Sequence, residues 1–308
     1  MRLVFMGTPE FAVPCLEHIL QAGHQVCAVY TQPDKPKGRG YTLTPPPVKE
    51  CALSHGITVY QPTTMKDGQA AAQLRELDPE CIVVVAYGKI LPQEIIHLPE
   101  KGCINVHASL LPRYRGAAPI QWSVINGEKK SGVTTMCMDE GIDTGDMLLK
   151  EECVSPPDMT AGELHDKLSV LGAELIVKTL EQLEKGEITK EKQNDSLSCR
   201  APMLDKKLSW IDWHKTAQEV HNLIRGLQPW PVAQTKWMGK TLKIHKSRLS
   251  DKKGKQPGTV LSQRPFVVCC GDGASIEILE VQLEGKKRMS AEDFFRGHPI
   301  ELSTTLGI

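Results

Sequence analysis

Two hydrophobic periods alternate along the first two thirds of this chain. Residues 3–6 are a short apolar run ending at Gly7-Thr8-Pro9, and residues 11–22 then carry helical spacing that stops at Gly23. Residues 25–31 read as the next strand, so the chain opens β-α-β. The cycle continues with helices at 48–55, 69–77 and 92–98 and strands at 58–60 and 81–86. Ile82-Val83-Val84-Val85 is apolar on both faces, the pattern of a central parallel strand covered by helices. A strand at 103–107 follows, then a helix at 119–125, strands at 132–138 and 147–154, and a long helix at 161–185 with Leu164, Leu168, Leu171, Leu175, Leu180 and Leu183 on its apolar side. Such alternation predicts an α/β fold with a doubly wound, mostly parallel sheet and right-handed crossovers.

The periodicity then changes. Residues 187–207 are polar and aperiodic, which suggests a linker. A helix at 216–225 ends at Gly226, and short strands follow at 233–237, 242–246, 258–262, 266–270 and 275–281. Met238-Gly239 and Asp272-Gly273 are placed to turn hairpins between them. Five short strands in about fifty residues fit a small C-terminal β-barrel of the OB type. The expected organisation is therefore an α/β domain over 1–187, a linker over 188–207 and an OB-like domain over 208–308.

Charge sharpens this division. The net charge is zero, but residues 201–308 hold 17 Lys and Arg against 11 Asp and Glu, a net of +6, which leaves −6 for residues 1–200. From Lys236 to Lys255 there are eight basic residues and one acid, Asp251, interleaved with Trp237. That is the composition of a phosphate-tracking surface, and also of ordinary solvated charge. A second basic stretch, 32–47, combines Lys35, Lys37 and Arg39 with proline and glycine; it reads either as a disordered surface loop or as a flap over an anionic substrate. Ten scattered cysteines without a Cys-x-x-Cys spacing read as small core hydrophobes, not as a disulfide framework or zinc site. The start of the chain, with one early Arg and an apolar run broken by Gly7 and Pro9, is unlike a secretory or transit signal. No run approaches transmembrane length, so a cytoplasmic protein is expected. A dinucleotide site is rejected, because the first β-α turn has Gly7 where that site needs three glycines.

The candidate chemistry sits in the strand at 103–107. Ile104 and Val106 alternate with Asn105 and His107, so two polar side chains emerge on one face at a strand end, where open α/β sheets place their sites. Gly141 and Gly145 frame a tight loop that displays Asp143 close after a later strand. Each residue also has an ordinary reading: a hydrogen-bonded core His and Asn, and an Asx turn at Asp143. Ser109 lacks the Gly-x-Ser-x-Gly elbow of a serine hydrolase.

With these motifs assembled, the chain resembles the methionyl-tRNA formyltransferase family. The resemblance is carried by Gly7-Thr8-Pro9-Glu10-Phe11, Gln32-Pro33-Asp34, Gly38-Arg39-Gly40, Val84-Val85-Ala86-Tyr87-Gly88, Ile104-Asn105-Val106-His107, Ser109-Leu110-Leu111-Pro112, Arg115-Gly116-Ala117-Ala118-Pro119 and Asp143-Thr144-Gly145. It continues in Ile211-Asp212-Trp213, Pro229-Trp230-Pro231 and Gly285-Lys286-Lys287. It departs at Tyr41-Thr42, where some relatives carry further lysines. The resemblance implies transfer of a formyl group from 10-formyltetrahydrofolate to the α-amino group of methionine on initiator tRNA, by a monomer without a metal. It assigns Asn105, His107 and Asp143 to catalysis and Ser109, Leu110, Leu111 and Pro112 to folate binding. Lys35, Lys37 and Arg39 would meet the tRNA near its acceptor end, and composition adds Lys240, Lys243, Lys246 and Arg248 as phosphate contacts. Three alternatives keep part of this pattern: a formyltetrahydrofolate hydrolase, a formyltransferase acting on a sugar or nucleotide amine, and a non-catalytic RNA-binding protein.

Overall fold

The computed structural model describes residues 1–37, 42–298, 301–302 and 304–307. It divides into two compact units. One comprises Met1–Gly116, Ser131–Cys153 and His165–Ala201, and the other Ala117–Lys130, Val154–Leu164 and Pro202–Ile308.

In chain order the first half runs β1 (Arg2–Gly7), α1 (Val13–Gln21), β2 (Gln25–Tyr30), β3 (Lys35–Lys37), β4 (Thr42–Thr44), α2 (Pro47–Ser54), β5 (Val59–Tyr60), α3 (Gln69–Leu77), β6 (Cys81–Val85), α4 (Gln93–Ile96) and β7 (Cys103–His107). It continues with α5 (Pro119–Ile125), β8 (Lys130–Cys137), β9 (Met147–Val154) and α6 (Ala161–Lys185). The first unit is built on a seven-stranded sheet of order β5-β2-β1-β6-β7-β8-β9. From β5 to β7 the pairs are parallel, and β8 lies antiparallel to β7. The mostly parallel α/β reading is thus observed, with the strand direction reversed beside the candidate site.

Burial follows the strand period. Val4, Met6, Ala28, Tyr30, Ile82, Val84 and Cys103 share one cluster with Ala70, Leu74, Ile95 and Ile96 of α3 and α4. Leu3, Phe5, Val83 and Val85 are also fully buried, so the opposite face of the sheet is covered too. Against that second face Gly172 of α6 approaches so closely that a Cβ there would lie 3.1 Å from Val106 Cγ1. Gly7 has a similar explanation: an added Cβ would stand 2.7 Å from Phe5 Cε1 and 2.9 Å from Ala12 Cβ. Its role is close packing of strand on helix, consistent with the absence of the three-glycine fingerprint.

The second unit holds α5, α7 (Ala217–Gly226), β10 (Ala233–Trp237), β11 (Lys240–Ser250), β12 (Val260–Gln263), β13 (Phe266–Cys269), β14 (Ser275–Leu283), β15 (Met289–Ser290) and α8 (Ala291–Gly297). Its strands form an antiparallel sheet of order β10-β11-β14-β13-β12, with β15 against β14. Met238 and Gly239, at φ 47° and 74°, turn the β10–β11 hairpin where the sequence placed it. The edges at β10 and β12 are met by the C-terminal segment: Val260 N donates to Thr304 O, and Gly307 N to Lys236 O. Thr216 and Glu219 form a reciprocal capping box at the start of α7. The apolar interior includes Trp237, Phe266, Phe294 and Phe295, with Phe266 of β13 and Phe295 of α8 packed edge to face at 4.7 Å. Helix α8 was not anticipated; Ser290 caps it by accepting from Asp293 N.

All ten cysteines are free thiols, and burial pushes Cys15, Cys103 and Cys270 up to about 12. Among the described residues, no helix is long and apolar enough to cross a membrane.

Candidate active site

Three segments of the first unit converge at the end of β7. Asn105 and His107 share the strand face of Cys103, and Asp143 comes from the 138–146 loop between β8 and β9. Asn105 Nδ2 lies 3.5 Å from Asp143 Oδ1, and His107 Nδ1 lies 3.6 Å from Asp143 Oδ2. The Asp143 carboxylate is anchored by Gly116 N–H, which donates to Oδ2 at 2.8 Å. The spacing of Asn105, His107 and Asp143 along the chain therefore does bring the three side chains together.

The histidine's hydrogen bonding settles which nitrogen carries a proton. Its Nε2 stands 2.9 Å from the Tyr114 carbonyl, which can only accept, so Nε2 holds a hydrogen. The other nitrogen, Nδ1, is the one facing Asp143. His107 is 6% exposed, and Asp143 is partly open.

Backbone conformation shapes the rest. Tyr114 and Asp143 both occupy the left-handed region, at φ 60° and 53°. For residues other than glycine this costs about 1–3 kcal/mol, and it persists only where neighbours enforce it. At Asp143 the enforcement is visible: Gln193 Nε2 donates to the carbonyls of Asp143 and Gly145, both at 2.8 Å. Asp139 Oδ1 accepts from Gly141 N and Thr144 Oγ1 and closes the other end of the loop. Gly145 has no room for a side chain, since a Cβ would fall 1.8 Å from Cys137 O. At Tyr114 the backbone N–H meets Cys199 Sγ at 3.2 Å.

The residues assigned to folate are mostly turned inward. Ser109 Oγ donates to Arg113 O, and Thr134 Oγ1 ties the turn by accepting from Leu111 N and donating to Ser109 O. Leu111 packs with Met136 and Met147. Leu110 and Pro112 are half-buried, and the Leu111–Pro112 peptide is cis. Of the basic loop, Lys35 is exposed on β3, which pairs with β4 in a short antiparallel ribbon; Lys37 lies on the same strand, and Arg39 falls outside the described residues. The base of this ribbon is held by a network that the sequence did not suggest. Lys49 Nζ donates to both oxygens of Asp34 and to Gln61, while Gln61 Nε2 donates to Asp34 Oδ1 and Gln32 O. These hydrogen bonds from Gln61 and Lys49 hold the Asp34 carboxyl below its ordinary value of 3.8.

In the second unit, Lys240, Lys243, Lys246 and Arg248 all lie on β11. Lys240, Lys246 and Arg248 are exposed and Lys243 is half-buried. Arg248 is already engaged, donating from Nε and Nη2 to the Glu277 carboxylate on β14. No cluster of three or more metal-ligating side chains occurs among the described residues.

Comparison with known proteins decides the family. The formyl transferase family matches residues 1–180, and the formyl transferase C-terminal domain matches residues 203–299. The methionyl-tRNA formyltransferase of Geobacter metallireducens is 52% identical over 309 residues, covering 100% of this chain and 99% of that protein. The chain belongs to the methionyl-tRNA formyltransferase family. The enzyme of that name from Clostridium novyi is 52% identical over 99% of this chain and 100% of its own length. Among solved structures, an N-formyltransferase from Helicobacter canadensis, in complex with folinic acid and dTDP-3-aminofucose, shares the fold at a TM-score of 0.69 and 23% identity, covering 90% of this chain and 98% of that one. HypX from Aquifex aeolicus, in complex with tetrahydrofolic acid, aligns at a TM-score of 0.66 and 16% identity, over 96% of this chain and 47% of that one. The chain is a formyltransferase, and these two structures share its fold.

Several contributors to the site carried no local sequence signal. Gln193 lies in the segment read as a linker, yet it is hydrogen-bonded to the Asp143 loop. Cys199 and Ala201, from the same segment, pair with the backbone of Arg115. Only a sheet-like contact made at long range reveals them.

Proposed function

We propose that this chain transfers the formyl group of 10-formyltetrahydrofolate to the α-amino group of methionine esterified to initiator tRNA, acting as a cytoplasmic monomer. The observation that carries this reading is the full-length identity of about half to methionyl-tRNA formyltransferases, across both family domains. The convergence of Asn105, His107 and Asp143 supports the chemistry.

In this reading the neutral amine attacks the formyl carbon, the bond from that carbon to folate N10 breaks, and N10 gains a proton as the amine loses one. A free α-amino group has a pKa of about 7.7–8.0, so part of it is protonated near neutral pH and a nearby base raises the reactive fraction. Asp143, with Oδ2 beside His107 Nδ1, accepts the amine proton or passes it to the imidazole. Asn105 keeps one amide hydrogen free of Asp143 for the oxyanion that develops on the formyl group; such donors are worth roughly 3–4 kcal/mol. Ser109 and Leu111 hold the turn in shape, and the backbone of 109–112 with Leu110 and Pro112 provides the wall for the folate. Binding of tRNA falls to Lys35, Lys37 and Arg39 near the acceptor end and to Lys240, Lys243, Lys246 and Arg248 within residues 208–308, while residues 1–187 supply the catalytic site.

The test is formyl transfer from 10-formyltetrahydrofolate to methionine-charged initiator tRNA, with uncharged tRNA as control. Transfer that requires the charged tRNA is expected. Release of formate without formylated tRNA, or salt-sensitive RNA binding without turnover, would overturn the reading.

A further inference from the structure

We propose that Gln193 and Arg115 form a clamp that sets the position of Asp143 for formyl transfer, with Gln193 a positioning residue that meets neither substrate. The inference rests on the assignment of Asp143 to the catalytic set. It starts from the amide of Gln193, whose two hydrogens are both committed, one to Asp143 O and one to Gly145 O, each at 2.8 Å. Its oxygen is committed as well, accepting from Arg115 Nε at 3.0 Å and Nη2 at 2.8 Å. The amide therefore has one orientation: a flip would set its oxygen against two carbonyls and its NH₂ against a guanidinium.

Arg115 is itself fixed. Its side chain is 12% exposed and pairs with Asp195, and its backbone N–H and C=O bond to Cys199 O and Ala201 N. It stands between Tyr114, whose carbonyl receives His107 Nε2, and Gly116, whose N–H reaches Asp143 Oδ2. The contacts close a ring through His107, Tyr114, Arg115, Gln193, Asp143 and Gly116. The ring joins the end of β7 to the loop that carries the carboxylate. Gln193 supplies the part of it that holds Asp143 in its left-handed conformation, because its bonds flank that residue at 143 and 145.

The experiment uses the full chain with charged initiator tRNA and 10-formyltetrahydrofolate, and compares Gln193→Met with Asp143→Ala. Gln193→Met keeps the bulk and loses all four hydrogen bonds. Gln193→Glu keeps the Arg115 pair, loses only the donors, and serves if the methionine variant does not fold. A misplacement of about 1 Å costs up to a hundredfold in rate, so kcat is expected to fall roughly ten- to a hundredfold with KM for both substrates within about twofold. In the same variants the Gly116 amide proton, followed by ¹⁵N-glycine NMR, should shift and lose exchange protection as Asp143 Oδ2 leaves it. A variant with parental kcat, or one whose kcat falls while the Gly116 signal stays unchanged, overturns the clamp alone. Parental turnover in Asp143→Ala overturns the catalytic assignment, and the clamp with it.

Discussion

Gly145→Ala is the sharpest test of how tightly the Asp143 loop is built. The added methyl would sit 1.8 Å from the Cys137 carbonyl oxygen and 3.2 Å from Met136 Cε. An ordinary carbon–oxygen contact is about 3.3 Å, so strand β8 and the loop must separate by roughly 1.5 Å. The obstruction is backbone, not a side chain that can rotate away, and Cys137 N–H is bonded to Asp146 O at 2.8 Å across the same gap. If the loop takes up even half of the displacement, the 2.8 Å bond from Gly116 N to Asp143 Oδ2 is lost and the 3.6 Å approach to His107 widens. Overpacking of this kind costs about 1–3 kcal/mol of stability, and misplacement near 1 Å costs about a hundredfold in rate, or some 2.7 kcal/mol of activation free energy. The assay is steady-state formylation well below the unfolding temperature, with a calorimetric scan to establish the folded fraction. Gly141→Ala provides the contrast, because its nearest obstacle is the Thr144 side chain, held by a bond to Asp139 Oδ1, and not a backbone carbonyl of β8; its rate loss should be smaller. A folded Gly145→Ala enzyme with turnover within about threefold of the parent would refute the reasoning.

Other consequences can be checked in parallel. Burial pushes His221 of α7 below its ordinary value of 6.5, so the unfolded chain takes up a proton that the native unit refuses; stability should fall as pH drops below about 6.5, and His221→Gln should flatten that slope in calorimetric scans between pH 7.5 and 5.5. Asp34 has the opposite chemistry and the same sign: its carboxyl is held low by Gln61 and Lys49, so its contribution is complete above the ordinary carboxylate range and fades as pH falls through the native value. Lys49→Met should weaken that acid dependence, leaving the part due to Gln61, and raise KM for tRNA by loosening the base of the β3–β4 ribbon, which binding titrations against pH would register. On β11, Lys246→Ala should reduce the slope of tRNA affinity against salt by about one ion, while Arg248→Ala should change it less because Arg248 is paired with Glu277; equal effects would contradict that assignment.

The elements governed by local periodicity were legible in the sequence. β1, β2, β6 and β7 stand where the apolar runs placed them, and Asn105 and His107 share a face because the strand period is two. The antiparallel direction of β8 was not legible, since strand direction is set by the path of the connection, and the apolar pattern of residues 132–138 reads the same either way. Strand β11 extends to Ser250 beyond its expected end, because register shifts around His245 and Lys246 break the alternation: Leu242 and Ile244 point inward, then Ser247 does. The polar segment 187–207 hid most. Glu191 exchanges both backbone hydrogen bonds with Met147, and Gln193 binds carbonyls fifty residues away; neither contact needs an apolar side chain, so no period announces them. The Asp143 loop was visible through its two glycines, whereas its anchors, Gly116 N–H and Gln193, were not.

The most direct test of the central claim is a single-turnover measurement at saturating enzyme and charged initiator tRNA, comparing the parent chain with His107→Ala and Asp143→Ala while tRNA binding is followed separately. The account predicts that both variants fold and bind tRNA with parental affinity but lose formyl transfer. Transfer at the parental rate by either one would contradict it.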